Sequence, residues 1–251
     1  MAIPIKTEAE IELMRISGKI LAEVLEKCCQ LARPGISTLE LDEIAEEFIR
    51  EKGGIPAFKG YHGFPCTLCT SLNEAIVHAI PHKNQILEKG DLLTLDCGVI
   101  FGGMYTDAAR SIGIGEISTE KSKLIEVAYR ALSEAIDLCK PGTHLSEIGK
   151  KIQEIVENAG FHIIHELTGH GIGKELHEEP IVLNYYDGNP GPILKEGMTI
   201  AIEPIFSAGT SKMKTLNDNW TLITVDYSTA VQAENTILIT KNGAEILTEN
   251  Y

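Results

Sequence analysis

The chain has 251 residues, 43% of them apolar and 23% charged, a size and balance that allow a sizeable buried core. Lys and Arg total 22 against 36 Asp and Glu, and the resulting net charge of −14 repels phosphate backbones and argues against nucleic-acid binding. No apolar run approaches a membrane span, and the start, Met1 to Glu8, has no basic segment followed by an apolar one, so neither a transmembrane helix nor a secretory signal is expected.

The first predicted element is a helix over about residues 7–31. Cys28 and Cys29 lie in it. With Cys66, Cys69, Cys97 and Cys139 they form no dense framework, and free thiols in a reducing cytoplasm are expected. The turn Arg33-Pro34-Gly35 leads into a second helix with Leu41, Ile44, Ala45, Phe48 and Ile49 at helical spacing. Thr38 is its predicted N-cap and Gly53-Gly54 its stop. Cys66-Thr67-Leu68-Cys69 has the spacing of half a zinc knuckle, but no second pair follows. Leu92 to Asp96 reads as a strand, and Phe101-Gly102-Gly103 as a turn after it. A third helix is predicted over about 118–139. After Lys140-Pro141-Gly142 a fourth carries Ile148, Ile152, Ile155 and Val156 and ends near Gly160. Met198 to Glu203 is again a strand.

The second series repeats the first at a constant offset of 107. Arg33-Pro34-Gly35 maps onto Lys140-Pro141-Gly142, Gly53 onto Gly160, and Leu87-Glu88-Lys89-Gly90 onto Leu194-Lys195-Glu196-Gly197. Asp96 then falls on Glu203. The expected architecture is α+β: two pseudo-twofold halves, about 1–115 and 116–251, sharing one continuous sheet in a single domain over 1–251. Two strand-end acids facing water would be the plainer reading of Asp96 and Glu203. Both, however, follow near-continuous apolar runs, where an acid is costly unless paired or metal-bound. Symmetry places both where the halves meet.

Asp96 and Asp107 flank the Gly102-Gly103 turn, so a hairpin there sets them nearly opposite. Two carboxylates that close favour a bound cation, although one of them could pair with Arg110 instead. Gly169-His170-Gly171-Ile172-Gly173 surrounds one imidazole with glycines, and His165 and His177 stand nearby. Glu203-Pro204 and Gln232-Ala233-Glu234 add two acids at strand positions. Four carboxylates with one imidazole suit divalent manganese, iron, cobalt or zinc, and the set is too thiolate-poor for a structural zinc site. Two ions sharing bridging carboxylates is a common hydrolase arrangement.

These residues, with His78, give the chain a resemblance to type I methionine aminopeptidases. It runs from Ile5-Lys6-Thr7 to Glu245-Ile246-Leu247 and rests on specific stretches. These include Tyr61-His62-Gly63-Phe64-Pro65, His78-Ala79-Ile80-Pro81, Gly169 to Gly173, His177-Glu178-Glu179-Pro180 and Glu203-Pro204. The resemblance implies the pita-bread fold, whose two halves share a curved, largely antiparallel sheet. It implies removal of the initiator methionine from nascent chains whose second residue is small. Asp96 would hold one ion, Asp107 and Glu234 would bridge two, and His170 and Glu203 would complete the second. A bridging water would attack the peptide carbonyl, with Glu203 moving its proton. His78 would bond the scissile nitrogen and His177 the oxyanion. Tyr61, Phe64, Cys69, Leu176 and Trp220 would line the methionine pocket, a use of Cys69 preferred here over zinc. The resemblance also implies a monovalent cation, sodium or potassium, on backbone carbonyls at Asn73, at Leu72 or Glu74, and near Ala230. It further implies a monomer, with transient ribosome contact plausible from the function.

The sequence departs from the family pattern at four places. Ala79 stands where glycine is usual, and Tyr105-Thr106-Asp107 replaces His-Gly-Asp. Leu176 stands for phenylalanine, and Asn235 for histidine. Two rivals follow from the same resemblance. A proline-specific peptidase usually carries an N-terminal domain, whereas this chain opens on the helix of the catalytic unit. A non-catalytic binding protein of the fold typically lacks ligands that are all present here. The start Met1-Ala2 is itself a good substrate for the implied activity.

Overall fold

The computed structural model describes residues 3–249; Met1 and Ala2, the self-processing site considered above, lie outside them. Helix α1 (Glu8–Leu31) opens on a reciprocal cap in which Thr7 accepts the Glu10 N–H and Glu10 accepts the Thr7 N–H. Helix α2 (Thr38–Glu51) starts at the predicted cap itself, one residue earlier than expected. Ser37 is the N-cap, because Glu40, three residues on, reaches back to its N–H at 2.8 Å. Thr38 is the first helical residue, and its hydroxyl accepts the His82 N–H at 2.9 Å. Helices α3 (Thr119–Asp137) and α4 (Ser146–Asn158) form the second pair.

The strands, in chain order, are β1 (Ile55–Pro56), β2 (Leu68–Leu72), β3 (Ala75–Val77), β4 (Leu92–Phe101), β5 (Met104–Gly113), β6 (His162–Ile163), β7 (Gly169–Gly171) and β8 (Glu178–Val182). They continue as β9 (Thr199–Ile202), β10 (Ile205–Ser207), β11 (Met213–Thr215), β12 (Leu222–Thr224), β13 (Ala230–Gln232), β14 (Asn235–Thr240) and β15 (Gly243–Ile246). Every ladder between them is antiparallel.

The offset of 107 holds at the level of single hydrogen bonds. The Gly35 N–H reaches Leu87 O at 2.9 Å and the Gly142 N–H reaches Leu194 O at 3.0 Å. The bridge Ser37↔Ile86 recurs as His144↔Ile193, and β1 recurs as β6. Each half packs its helix pair on the outer face of its strands. In the first, Leu21, Val24 and Leu41 meet Leu93, Leu95 and Cys97; in the second, Ile148, Ile152 and Val156 meet Ile200, Ile202 and Phe206. Each such aliphatic side chain contributes about 1.5–3 kcal/mol on burial.

The expected continuous sheet is divided among the described residues into four hydrogen-bonded sheets of four, three, three and five strands. Further hydrogen bonds sit at the seam between halves. The Glu234 N–H reaches Ala109 O at 3.1 Å and the Ala230 N–H reaches Asn73 O at 2.8 Å. Thr236 clamps Asp107 from both sides: its Oγ1 accepts the Asp107 N–H at 2.9 Å and donates to Asp107 O at 2.8 Å.

Candidate metal centre and substrate cavity

The inner face of the sheet lines a cavity of about 820 Å³. It is lined by Asp96, Asp107, His170, Glu203 and Glu234, by Tyr61, Phe64, Cys69, Leu176 and Trp220, and by His78 and His177. Every residue expected as a divalent-metal ligand, catalytic group or methionine-pocket wall therefore lines one cavity, while the positions expected to hold a monovalent cation do not. His165 stands apart, its ring against Tyr185 at 4.3 Å, and Cys66 packs in the core beside Phe58 and Phe64.

Asp96 and Asp107 lie on one face of the β4–β5 hairpin, though not opposite. Asp96 faces Ala109 and Asp107 faces Gly98, so the two acids are diagonal neighbours beside small partners. The turn needs φ of 59° at Gly102 and 82° at Gly103, a region that favours glycine. Glu203 and Glu234, read from sequence as strand residues, sit at breaks. Glu203 falls between β9 and β10, and Glu234 between β13 and β14. His170 stands in β7 opposite Ala201. Its Nδ1 donates to Gly171 O at 2.9 Å, which leaves the lone pair of Nε2 directed at the acids. Nε2 lies 3.6 Å from Glu203 Oε1 and 4.0 Å from Asp107 Oδ2.

Asp107, His170 and Glu234 each offer a ligand atom within 4.8 Å of the others. Burial raises Asp96 to about 7. Burial, then the neighbouring carboxylates, holds Asp107, Glu203 and Glu234 well above the usual range. Burial, then His177, pushes His170 down to about 4 and keeps it neutral. Asp96 Oδ1, Asp107 Oδ1 and Glu234 Oε1 are buried with no hydrogen-bond partner among the described residues. Such groups are unfavourable alone and suit a divalent cation, whose charge would offset their mutual repulsion.

Arg110 offers neither aspartate an alternative. It donates to Glu234 O at 2.6 Å, to Thr248 O at 2.6 Å and to Asn235 Oδ1 at 2.9 Å. Asn235 thus anchors the cation that braces the Glu234 main chain. Ala79 costs no backbone strain: the left-handed residue is His78, at φ 58°, while the Ala79 methyl packs with Ala75 and Ile223. His78 leaves the end of β3 in that conformation, which turns it into the cavity. The walls are apolar and partly aromatic, with the Phe64 and Trp220 rings edge to face at 5.1 Å. The Tyr61 hydroxyl and His177 Nδ1 are 2.9 Å apart.

Gln232 was not singled out from the sequence. Its Nε2 donates to Glu203 Oε2 at 3.2 Å and to Glu234 Oε2 at 3.3 Å, so it spaces two of the acids. Its position two residues before Glu234, on the same face of a strand, was the available signal. His62 also lines the cavity, next to Tyr61.

Residues 12–241 match the model of metallopeptidase family M24. The methionine aminopeptidase of Clostridium acetobutylicum is 46% identical over 246 residues, 98% of each chain. The crystal structure of methionine aminopeptidase from Thermotoga maritima superposes with a TM-score of 0.97 at 40% identity, covering 99% of this chain and 100% of that one. Prolidase from Pyrococcus furiosus superposes with a TM-score of 0.80 at 27% identity, over 98% of this chain and 66% of that one. The pita-bread fold is common to these structures.

Proposed function

Since the chain belongs to metallopeptidase family M24, among its methionine aminopeptidases, we propose that it is a metal-dependent aminopeptidase removing the initiator methionine from nascent proteins with a small second residue. The observation that carries this is the set of carboxylate oxygens, buried and unpartnered among the described residues, beside a neutral imidazole in the wall of an apolar cavity. One catalytic domain spans the chain in this reading.

Asp96, Asp107, His170, Glu203 and Glu234 are the proposed ligands of two divalent ions, drawn from manganese, iron, cobalt or zinc. Ions held there would polarise the scissile carbonyl and acidify the attacking water. The residues then divide the remaining work. Glu203 Oε1, which no donor among the described residues occupies, takes a proton from the attacking water and returns it to the departing amine. His78 orients the scissile nitrogen, and His177 donates to the carbonyl oxygen as it gains charge. Breaking the C–N bond releases free methionine and a new N-terminus. The thioether lies against Phe64, Leu176, Cys69, Tyr61 and Trp220, a soft apolar surface suited to sulfur.

A monovalent cation at the Asn73 turn is a further element of the proposal. Asn73 O already accepts the Ala230 N–H, which leaves it one lone pair, and the Lys121 ammonium lies 2.6 Å from Asn73 Oδ1 on the same turn. The proposed setting is the cytoplasm, with the protein acting as a monomer that meets the ribosome transiently. No helix among the described residues is long and apolar enough to cross a membrane.

With manganese or cobalt the protein should cleave Met-Ala-Ser and spare Met-Lys peptides, read by release of free methionine. The prolidase likeness supports a second reading, hydrolysis of Xaa-Pro peptides. Rapid cleavage of those peptides with no action on Met-Ala-Ser would replace the first reading by the second.

A further inference from the structure

Two side chains with no role in the proposed machinery meet beside it, at the edge of the cavity that Glu178 helps to line. Lys6, in the segment leading to α1, places its ammonium 2.6 Å from Glu178 Oε2, across 172 residues of sequence. Both side chains are nearly sealed from water, at 2% and 9% exposure. The other oxygen, Glu178 Oε1, accepts the Lys174 N–H at 2.6 Å and the Glu175 N–H at 3.2 Å. One carboxylate thus ties the N-terminal segment to the 172–177 loop, whose last two residues are Leu176 and His177.

The surroundings are built for this contact. A Cβ on Gly173 would lie 2.0 Å from Lys6 Cε, so the glycine leaves the room that the end of the lysine fills. The Lys6 N–H is held by Gly197 O at 2.8 Å, so the ammonium is presented from a fixed main chain. On the exposed side, Lys174 reaches Glu10 at 2.7 Å, a second tie between the same two segments. A surface pair contributes little, but a sealed pair whose second oxygen organises loop amides holds a geometry.

We propose that Lys6 and Glu178 are positioning residues that fix the 172–177 loop, and so hold Leu176 and His177 against the substrate. The inference rests on the role given to His177 above. Lys6 touches no reacting atom; it acts through Glu178 and the loop amides.

The test uses the full-length, manganese-loaded protein and two variants, Lys6→Met and Gly173→Ala. The first removes the ammonium and keeps the stem. The second keeps both charged residues in the chain and displaces the lysine's end sterically. In each, amide hydrogen exchange at Lys174 and Glu175 should accelerate about 10-fold or more, while β7 and β9 amides keep their wild-type rates. Hydrolysis of Met-Ala-Ser should lose on the order of 10- to 100-fold in kcat, with KM moving less than about 3-fold. Faster exchange with unchanged kcat makes the pair merely structural and overturns the proposal. Unchanged exchange overturns it whatever the rate. If Lys6→Met does not fold, Gly173→Ala decides alone. Should the wild-type protein not cleave Met-Ala-Ser at all, the substrate reading fails, and the exchange data still judge the clamp separately.

Discussion

The two halves carry the same plan, yet they deliver their acids differently. In the first, β4 and β5 run unbroken for 10 residues each, and Asp96 and Asp107 stand inside the ladder. In the second, the equivalent strands are each cut in two, and Glu203 and Glu234 stand at the cuts. Asp96 and Glu203 are 107 apart and Asp107 and Glu234 are 127 apart, so the second hairpin holds twenty residues that the first lacks. That extra length forms β11, β12 and the turn bearing Trp220. The first half therefore provides short acids at fixed spacing on a stiff ladder. The second bends its backbone, uses longer acids, and adds an aromatic wall. A duplicated scaffold has diverged into a rigid side and an adapted side, and the cavity lies between them.

The largest effect should come from breaking the rigid side. Asp107→Asn keeps the shape and removes a charge from the centre of the cluster. Turnover of Met-Ala-Ser should fall by more than about 100-fold, the upper cost of altering a ligand's outer partner, and metal analysis should show weakened retention of at least one ion. Near-normal activity would remove Asp107 from the site.

The repulsion shared by the halves can be read without substrate. Asp96, Asp107, Glu203 and Glu234 all have folded-state pKa values above the ordinary carboxylate range. At these four groups the native state binds more protons than the unfolded one, so their contribution falls as pH rises from about 4 towards the folded values, about 7 for Asp96; His170, pushed down to about 4, offsets part of this below about pH 6.5. The metal-free protein should lose several degrees of Tm between about pH 5 and pH 8, and saturating manganese should abolish that slope. A metal-free Tm that rises over the same range would contradict the electrostatic account.

The smallest of the three concerns the seam. Thr236→Val removes the hydroxyl that holds Asp107 at both its N–H and its carbonyl. Leaving those groups unpaired should cost about 1–3 kcal/mol in urea unfolding. A loss well under that would mean the halves are joined chiefly by packing.

Local signals sufficed for much of this. Helix spacing, Pro-Gly turns and the Gly102-Gly103 hairpin are decided within a few residues, and the repeat exposed Asp96 and Glu203 as one position used twice. The cap at Ser37 was misplaced by one residue because Ser37 and Thr38 both suit the role, and only the reach of Glu40 chooses between them. Glu203 and Glu234 read as strand residues because extended backbone continues on both sides; at Glu203 the break falls on Pro204, which has no N–H to give to a ladder.

By itself, then, the sequence determined the four helices, the strands carrying Asp96 and leading to Glu203, the duplication and a chemically coherent set of candidate ligands, since each of these follows from residue type and spacing along the chain. Tertiary structure alone decided what joins the halves and what aims the side chains. The diagonal offset of Asp96 and Asp107, the spacing role of Gln232 and the Lys6–Glu178 tie all depend on contacts between distant segments. Such contacts leave no period in a sequence, because they are selected by the packing of surfaces that meet only once the chain has closed.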